Sequence, residues 1–448
     1  MAGRRLVLLL IFLAAIGLPA GALRAACAGR SCAGVDEEPA RVPFCPLPSA
    51  VRMAIENGYR EGRSPDVLFV TRRDADLSAP PSLATGEVAW PSTDDGGAGV
   101  PLVFTGAGID RDAAVADGTT LDRVAPTVAE AIGLHRPHPD VRSGTAIPGV
   151  AGGRSARLVV LIAWSGVGAG ALERDPGAWP WLRRTLSTSP GTLDADPGSL
   201  PLDPAAVLTT IGTGGLPFQH GVTASIVRND AGEPTPAFGP DAPPPVIASL
   251  AEDLDERSGG DAFVGLVSPR AEDRGLIGGR WYLDPGDRDD DVVVRASAGD
   301  APRRAERILD ELAASPAGRD DVTDVIGVVL EGDVASLDRS TGRIASAAAR
   351  TTGERALIVV AGTGDTAAEG AVDAAPPIAA AAADLPGGTA LIDDVVAGGV
   401  FLDQRILARE GASGQSVVEA MTLLEDERGG HVVRDAFQGF AVSFARYC

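Results

Sequence analysis

The sequence predicts an α/β fold in which a mostly parallel sheet carries helices on both faces. Short segments that are apolar at every position recur along the chain, as at 158–163 and 356–361, and such runs are typical of parallel strands buried on both faces. Segments with helical periodicity lie between them, and this alternation builds parallel sheets. Glycine and proline, with 56 and 34 residues, supply the turns between elements.

The composition excludes two classes of partner. The chain has 448 residues, of which 45% are hydrophobic and 22% charged, and its formal net charge is -22. Such a surface repels nucleic acid and anionic membranes, so we expect neither as a partner. All 39 basic residues are arginine, which together with the abundant alanine and glycine indicates biased coding rather than function.

The N-terminus predicts an export signal. Arg4 and Arg5 precede an apolar run at 6–18, and Ala26-Cys27-Ala28 resembles a cleavage site. We therefore expect a signal peptide at 1–28, a polar leader at 29–41 and a secreted or cell-envelope location. An uncleaved anchor and a lipoprotein attached through Cys27 are the alternatives. No other segment is long and apolar enough to cross a membrane.

Before residue 157 the pattern predicts two helices and two strands. Gly58 is a candidate C-cap for the first helix, and Pro126 suits the first turn of the second, which Gly133 ends. Proline- and glycine-rich loops occupy 72–99 and 136–156. The predicted elements are, in chain order, helix 49–57, strand 67–71, strand 100–105 and helix 125–132.

The stretch 157–221 organises the rest of the prediction. A buried strand at 158–163 ends in small residues, and a threonine- and glycine-rich run closes the stretch at 209–221. In an open α/β sheet the functional residues lie beyond the carboxyl ends of the strands. Further elements follow: helices at 246–255, 302–314 and 344–350, strands at 262–267, 325–330 and 356–361, and apolar segments at 392–396, 400–401 and 417–424.

Several segments resemble the alkaline phosphatase superfamily, and most closely its type I phosphodiesterase and nucleotide pyrophosphatase branch. The family has an apolar strand, then a nucleophile, then a Thr-Gly, Pro, His-Gly pattern. The strand is matched at 158–166 and the final pattern by Thr213-Gly214, Pro217 and His220-Gly221. Residues 325–333 and 356–365 resemble its later strands, which end in metal ligands. The resemblance implies an alkaline-phosphatase-like fold and hydrolysis of phosphate esters at a pair of metal ions.

The segments of the resemblance come in an altered order. Residues 101–108, 121–133 and Gly144 are similar to the end of the family sequence, yet they come first here. The resemblance therefore implies a circular permutation within a single domain at 42–448, in which 42–150 matches the family's C-terminal segment and 157–365 its core. It also implies that Cys45 and Cys448 are bonded, since they flank the new termini. A Cys32–Cys45 bond is the competing pairing.

Reactive positions of the family carry other residues in this chain. Ser165 stands for the first aspartate ligand, and Pro204 falls near the nucleophile position. Leu337 and Gly364 stand where the family has histidines. These departures predict a catalytically degenerate protein.

The residues that remain as candidates have two interpretations each. Thr209 and Thr210 are candidate nucleophiles and His220 a candidate base, whereas Asp333, Asp365 and His431 are candidate ligands of zinc or calcium. We favour the structural interpretation, in which the hydroxyls satisfy a buried turn, His220 caps the turn after Pro217, and the aspartates are solvated strand ends.

The function expected from the sequence is therefore a binding or scaffold role at the cell envelope, without a cofactor, for an envelope partner or a small ligand. The alternative is an active metal-dependent hydrolase of phosphomonoesters or phosphodiesters with a rebuilt site. A third interpretation is a purely structural envelope protein. An acidic loop at 284–291 is a further candidate for calcium, although it lacks the spacing of an EF-hand.

Overall fold

A computed structural model describes residues 44–72, 77–79, 88–89, 99–153, 155–278, 291–315, 320–365, 372–373, 375–396, 398–425, 429–444 and 448. The chain divides into two compact units, Met1–Val42 and Pro43–Cys448, and every described residue lies in the second. The expected signal peptide and leader, Cys27 and Cys32, and most of the acidic loop at 284–291 lie outside the described residues.

Sixteen strands are described, and they form four sheets. In chain order they are β1 Val67–Thr71, β2 Leu77–Ala79, β3 Val88–Ala89, β4 Val100–Gly106, β5 Leu158–Trp164, β6 Gly191–Ala195, β7 Ile226–Arg228, β8 Pro234–Pro236, β9 Val264–Ser268, β10 Val292–Arg295, β11 Asp324–Leu330, β12 Ala356–Gly362, β13 Val372–Asp373, β14 Ile392–Val396, β15 Gly399–Leu402 and β16 Val433–Gln438.

Thirteen α-helices and four 3₁₀ turns accompany these strands within the described ranges. The helices are α1 Ser49–Gly58, α2 Val124–Ile132, α3 Ala169–Arg174, α4 Pro180–Leu186, α5 Pro204–Thr213, α6 Pro217–His220, α7 Leu250–Ser258, α8 Ala301–Ala314, α9 Val334–Thr352, α10 Ala375–Ala383, α11 Gln404–Glu410, α12 Gly414–Thr422 and α13 Gly439–Val442. The 3₁₀ turns are Leu121–Arg123, Pro139–Val141, Glu272–Leu276 and Gly388–Leu391.

The largest sheet has seven strands in the order β10-β9-β11-β5-β12-β4-β6. The first five run parallel to one another, whereas β4 runs antiparallel to both β12 and β6. This mostly parallel sheet confirms the predicted fold class. Its central strands β5, β11 and β12 are buried at every position, which is why they are apolar throughout.

Helices cover both faces of the seven-stranded sheet. Alternate residues of β5 point to opposite sides: Val159 and Leu161 pack in one core cluster, and Val160 and Ile162 in the other. The first cluster includes buried residues of α2, α5 and α7, and the second those of α3, α4, α8 and α9. The core thus has two layers separated by one sheet.

The second sheet joins the two ends of the described unit. Its strands are ordered β14-β15-β1-β16 and all neighbours are antiparallel. Helix α12 packs on one face, where Val417 and Met421 lie in a core cluster with Val67. Helix α1 packs on the other face, where Val51 and Ile55 lie with Leu68. We call this the terminal sheet, since β1 and β16 come from opposite ends.

A disulfide bond closes the terminal sheet. Cys45 and Cys448 are bonded across a sequence separation of 403 residues, with Cα atoms 5.1 Å apart. This confirms the pairing that the resemblance implies and excludes the competing Cys32–Cys45 bond from this structure, because each cysteine forms one disulfide.

Several element boundaries differ from the sequence prediction. The helix expected at 246–255 begins at Leu250, because Ser249 accepts the amide of Glu252 and caps it there. The helix expected at 344–350 is the longer Val334–Thr352. The threonines at 209, 210 and 213 were expected in a buried turn, yet they lie in a helix, Pro204–Thr213, that is buried at every position. Gly58 is the last residue of its helix rather than its C-cap, which is Tyr59.

The helices described contain none that is both long and apolar enough to span a bilayer.

Candidate functional site

The carboxyl ends of the five parallel strands lie along one edge of the seven-stranded sheet. This is the position at which open α/β sheets place their ligand sites. Charged and polar side chains follow three adjacent strands there: Arg270 after β9, Glu331 after β11 and Ser165 after β5. Together with Asp203 and Asp273, they make up what we call the strand-end cluster.

Arg270 is the centre of the strand-end cluster. Its guanidinium forms an ion pair with Glu331 and donates a hydrogen bond to Ser165 Oγ over 3.2 Å. Register brings the two partners together, because Leu330 of β11 lies opposite Trp164 of β5, and Glu331 and Ser165 are the next residues. The Arg270 side chain is 14% exposed, so this contact is mostly shielded from water.

Two buried carboxylates lie close enough to Arg270 for its charge to affect their pKa values. Asp203 caps helix α5, where its Oδ1 accepts hydrogen bonds from the Ala205 amide at 2.9 Å and the Ser225 hydroxyl at 2.8 Å. Its Oδ2 is buried and makes no hydrogen bond to another described residue. Burial raises the pKa of Asp203, and the positive charge of Arg270 opposes that rise.

Asp273 is the second of these carboxylates. It accepts the backbone amide of Arg270 over 2.9 Å. Burial raises the pKa of Asp273 to about 6, against the opposing charge of Arg270. The edge continues to Arg295, which donates to Ser268 Oγ over 2.8 Å, and Ser268 in turn donates to the Arg270 carbonyl. Hydrogen bonds through Ser268 therefore link Arg295 to Arg270 along this edge.

His220 is a buried structural histidine in this geometry. Its Nδ1 accepts the amide of Val222 over 3.2 Å, which places the ring proton on Nε2, 3.1 Å from Thr210 Oγ1. The side chain is fully buried. Burial, with a smaller contribution from Arg60, lowers its pKa from 6.5 to about 3. A ring held in this way caps the turn after Pro217 and is neutral at pH 7.

The candidate threonines lie inside helix α5 rather than in a loop. Thr209 donates its hydroxyl to the Ala205 carbonyl, and Thr213 donates to the Thr209 carbonyl, each over 2.7 Å. Both side chains are buried, as is Thr210. Hydroxyls bonded to the carbonyl one turn earlier are typical of threonine in a helix interior.

Asp365 and Asp333 hold backbone amides. Asp365 accepts the amides of Gly168, Gly170 and Ala171 over 2.8–3.2 Å, at the first turn of α3. Asp333 is exposed and caps α9, where the amide and hydroxyl of Ser336 lower its pKa. Both aspartates therefore position helix starts, as carboxylates commonly do.

The remaining candidate positions have separate surroundings. His431 lies beside β16 in the terminal sheet region, with Nδ1 3.9 Å from Glu425. Pro204 is the first residue of helix α5, where proline needs no amide partner. Leu337 is buried in the core under α9. Gly364 has φ +108°, and a Cβ there would lie 2.9 Å from Leu202, so this turn requires glycine.

The side chains do not fit the metal pair that the resemblance implies. Within the described ranges, no group of three or more histidine, cysteine, aspartate or glutamate side chains is placed to hold an ion. Asp333 and Asp365 are bound to backbone amides, and Glu331 at the sheet edge pairs with the Arg270 guanidinium. A permanently charged guanidinium there repels a dication.

Sequence reasoning missed Arg270, Asp203, Asp273 and Glu331. Glu331 carried a signal, since it directly follows a predicted strand, but the resemblance drew attention to Asp333 two residues later. Arg270 carried none, because its partners come from strands that are distant in sequence and meet only through the order β9-β11-β5.

Comparisons with known proteins add little to this picture. No protein-family model matches the chain, and no curated protein matches it either. Among solved structures, the crystal structure of wild-type alkaline phosphatase PafA is similar at 13% identity, with a TM-score of 0.43, over 60% of this chain and 76% of that one. At this level of likeness, the comparison establishes neither the fold family nor the activity of this chain.

Proposed function

We propose that this chain is an exported, catalytically degenerate protein of the alkaline phosphatase type, which binds a partner or a small ligand at the cell envelope. The observation that carries the proposal is the Arg270 guanidinium in the strand-end cluster. It pairs with Glu331 and bonds Ser165 Oγ at the edge where a hydrolase of this type would need metal ions. A guanidinium stays protonated at any physiological pH, so it cannot serve as a general base.

The fate of the other candidate residues supports the same proposal. The Thr209 and Thr213 hydroxyls donate within their own helix, and the ring of His220 is buried and neutral at pH 7. Nucleophilic catalysis needs a hydroxyl beside an activating base or metal. Thr210 contacts His220, but both are fully buried and no substrate could reach them.

Two features of the topology support the permuted family order. Strand β4, from the early segment, pairs with β12 at the end of the core segment, so neighbours in space are distant in sequence. The two ends of the described unit pair as β1 and β16 and are joined through Cys45 and Cys448. In a permuted chain the present ends were contiguous in the original order, so they are expected to lie close together, as these do.

Metal content and hydrolysis test the proposed loss of catalysis. The mature protein, purified without chelator and exposed to zinc, manganese and calcium, should retain no transition metal in elemental analysis. It should also leave phosphomonoesters and phosphodiesters intact in the same buffers. Tight binding of a metal pair, with hydrolysis that chelator abolishes, would establish the alternative of an active hydrolase with a rebuilt site. An Arg270→Gln variant is put through the same two measurements beside the parent, because it removes the guanidinium charge and changes nothing else in the chain.

Export is tested separately. Expression of the full chain in its natural type of host, followed by N-terminal sequencing of the protein outside the cytoplasm, should give a mature start close to Ala28. A Cys45–Cys448 bond found in the same material supports an oxidising compartment. Protein confined to the cytoplasm with the segment 1–28 intact would contradict the export proposal without affecting the catalytic one.

A further inference from the structure

A cavity of about 320 Å³ adjoins the strand-end cluster. It lies between the first turns of α8 and α9, beyond the carboxyl end of β11, and shares Glu331 with the cluster. Arg303, Arg339 and Arg343 line it. We call it the arginine pocket. Its volume lies at the lower end of the range for small-molecule sites.

Two of the three arginines, Arg303 and Arg339, are held only loosely by the protein. Arg303 pairs with Asp300 and Arg343 with Glu306, and both arginine side chains are more than half exposed. Arg339 donates to Ser336 Oγ over 3.0 Å, and among the described residues no carboxylate lies within ion-pair distance of it. Exposed single-contact ion pairs contribute about 0–1 kcal/mol, so a ligand can displace Asp300 from Arg303 at little cost. Arg343 is held by two contacts of 2.8 Å to Glu306, and its exposed side chain keeps a further N–H edge for a ligand.

Two of the carboxylates near the arginine pocket have partners other than its three arginines, whereas Asp300 and Glu306 pair with Arg303 and Arg343 themselves. Glu331 is paired with Arg270, and Asp333 binds the amide and hydroxyl of Ser336. The arginine pocket gathers three guanidinium groups, although the chain as a whole has a net charge of -22. Because the global field disfavours anions, binding of one here depends on direct contacts.

The floor of the arginine pocket is suited to an organic ligand. Leu330 and Leu337 are buried beneath it, with exposed fractions of 1% and 2%. Ser340 also lines the pocket and is half-buried, and its hydroxyl has no hydrogen-bond partner elsewhere in the described ranges. An apolar floor, a spare hydroxyl and several guanidinium groups suit an anionic head group attached to a small organic body.

We propose that the arginine pocket binds a small organic molecule through its phosphate or sulfate group. Guanidinium forks form bidentate hydrogen bonds to such oxyanions, and three of them from two helices can surround a tetrahedral group. This inference rests on the proposed binding role and specifies the class of ligand for that role. The ligand is bound and is not hydrolysed.

Calorimetric titration of the full chain tests the arginine pocket directly. Inorganic phosphate, inorganic sulfate, a phosphorylated sugar and the same sugar without phosphate are titrated in turn, with chelator present and ionic strength fixed by chloride. We expect saturable binding of the two inorganic anions and tighter binding of the phosphorylated sugar. The relative affinity for phosphate and sulfate then identifies which head group the natural ligand carries.

Matched arginine variants separate the pocket from general charge. Arg339→Gln and Arg343→Gln should each weaken phosphate binding at least tenfold. Arg307→Gln on α8 and Arg350→Gln on α9 remove the same charge from the same helices outside the pocket, and they should bind as the parent does. All four positions are exposed, so the variants are expected to fold, and circular dichroism verifies this.

Each outcome decides one proposal. Absence of anion binding by the parent, equal loss in all four variants, or equally tight binding of acetate would overturn the arginine pocket while leaving the proposed lack of catalysis intact. Binding that depends on Arg339 and Arg343, together with metal-dependent hydrolysis of the phosphorylated sugar once chelator is omitted, would support the pocket and overturn the proposed lack of catalysis.

Discussion

The seven-stranded sheet and the terminal sheet are stabilised in different ways. The large sheet has parallel central strands that are buried at every position between two helical layers. The terminal sheet is antiparallel, has four strands and brings both ends of the described unit together across the Cys45–Cys448 bond. Both sheets are buried between helices. We infer that the large sheet depends in addition on charge pairing at its edge, whereas the terminal sheet depends in addition on covalent closure.

Replacement of both bonded cysteines by serine should have the largest effect. The disulfide closes a loop with a separation of 403 residues, and in the chain-entropy treatment a loop of that length contributes on the order of 5 kcal/mol. Chemical denaturation should show this loss. Hydrogen exchange should show that β1 and β16 lose protection first while β5, β11 and β12 retain theirs.

The control for this variant is a Cys27→Ser/Cys32→Ser protein, which retains the closing bond and should unfold as the parent does. Simultaneous loss of protection in both sheets of the Cys45/Cys448 variant would show that they form one cooperative unit, and the proposed contrast between the sheets would then be wrong.

Removal of Arg270 tests the charge pairing at the edge of the large sheet. Arg270→Met leaves Glu331 and the buried Asp203 and Asp273 without their nearest cation. Loss of one partner of a mostly buried pair costs about 3 kcal/mol. Denaturation at pH 7 measures the change in the free energy of unfolding, and hydrogen exchange should locate the loosened region at the ends of β9 and β11.

An Arg270→Met/Glu331→Leu double variant, together with Glu331→Leu alone, completes the double-mutant cycle. The double variant should be more stable than Arg270→Met alone, because removal of both partners leaves one less unpaired charge. A double variant that is less stable than Arg270→Met would show that Glu331 has another stabilising partner, and the central role of Arg270 would need revision.

The central strands of the large sheet were predictable for a physical reason, whereas its edge strands β6 and β10 were not predicted. Strand β5 was expected at 158–163 and spans Leu158–Trp164, and β12 is likewise one residue longer than expected. Strands buried on both faces must be apolar throughout, so their sequences stand out from the surrounding chain. Helix α5 was missed for the opposite reason: it is buried on all sides and has no polar face to give a helical period.

The candidate site was less predictable than the fold. The bond between Cys45 and Cys448 followed from a resemblance in segment order, not from spacing. The strand-end cluster depends on which strands are neighbours, and Arg270 and Ser165 are 105 residues apart in the chain. A single sequence does not encode that adjacency in any local pattern. Local signals instead indicated Asp333 and Asp365, which are strand-end carboxylates used as helix caps.

Asp365 offers a smaller test of the same edge. Its carboxylate accepts three backbone amides at the start of α3, so Asp365→Ala leaves those amides unsatisfied and should cost about 2 kcal/mol. Asp365→Asn keeps one acceptor oxygen and should cost less. Urea denaturation of both variants measures the difference. Equal, negligible losses would show that water replaces the carboxylate, and the cap would contribute little to the large sheet.

Asp324 lies at the amino end of β11, opposite the strand-end cluster. Its effect on stability depends on pH, and we expect it to be the smallest of these effects. Burial raises the pKa of Asp324, the first residue of β11, to about 7, and nearby Asp320 adds to the rise. Since the folded-state pKa lies above the unfolded value, the folded protein binds the proton more tightly. Stability from this group is therefore present at low pH and is lost as pH rises toward and through 7.

Asp324→Asn should accordingly raise the unfolding temperature at pH 8, by the equivalent of about 1 kcal/mol, and change it little at pH 4. The amide oxygen can still accept the Phe263 amide that Asp324 Oδ1 accepts at 2.9 Å, so the variant removes charge while keeping the contact.

Asp333→Asn is the matched control of opposite sign, because hydrogen bonds from Ser336 lower the pKa of Asp333. This variant should lose stability at pH 8 and not at pH 2. Thermal unfolding across pH distinguishes the two. If Asp324→Asn shows the same offset at every pH, the edge of the large sheet is not sensitive to charge, and burial alone would explain its stability.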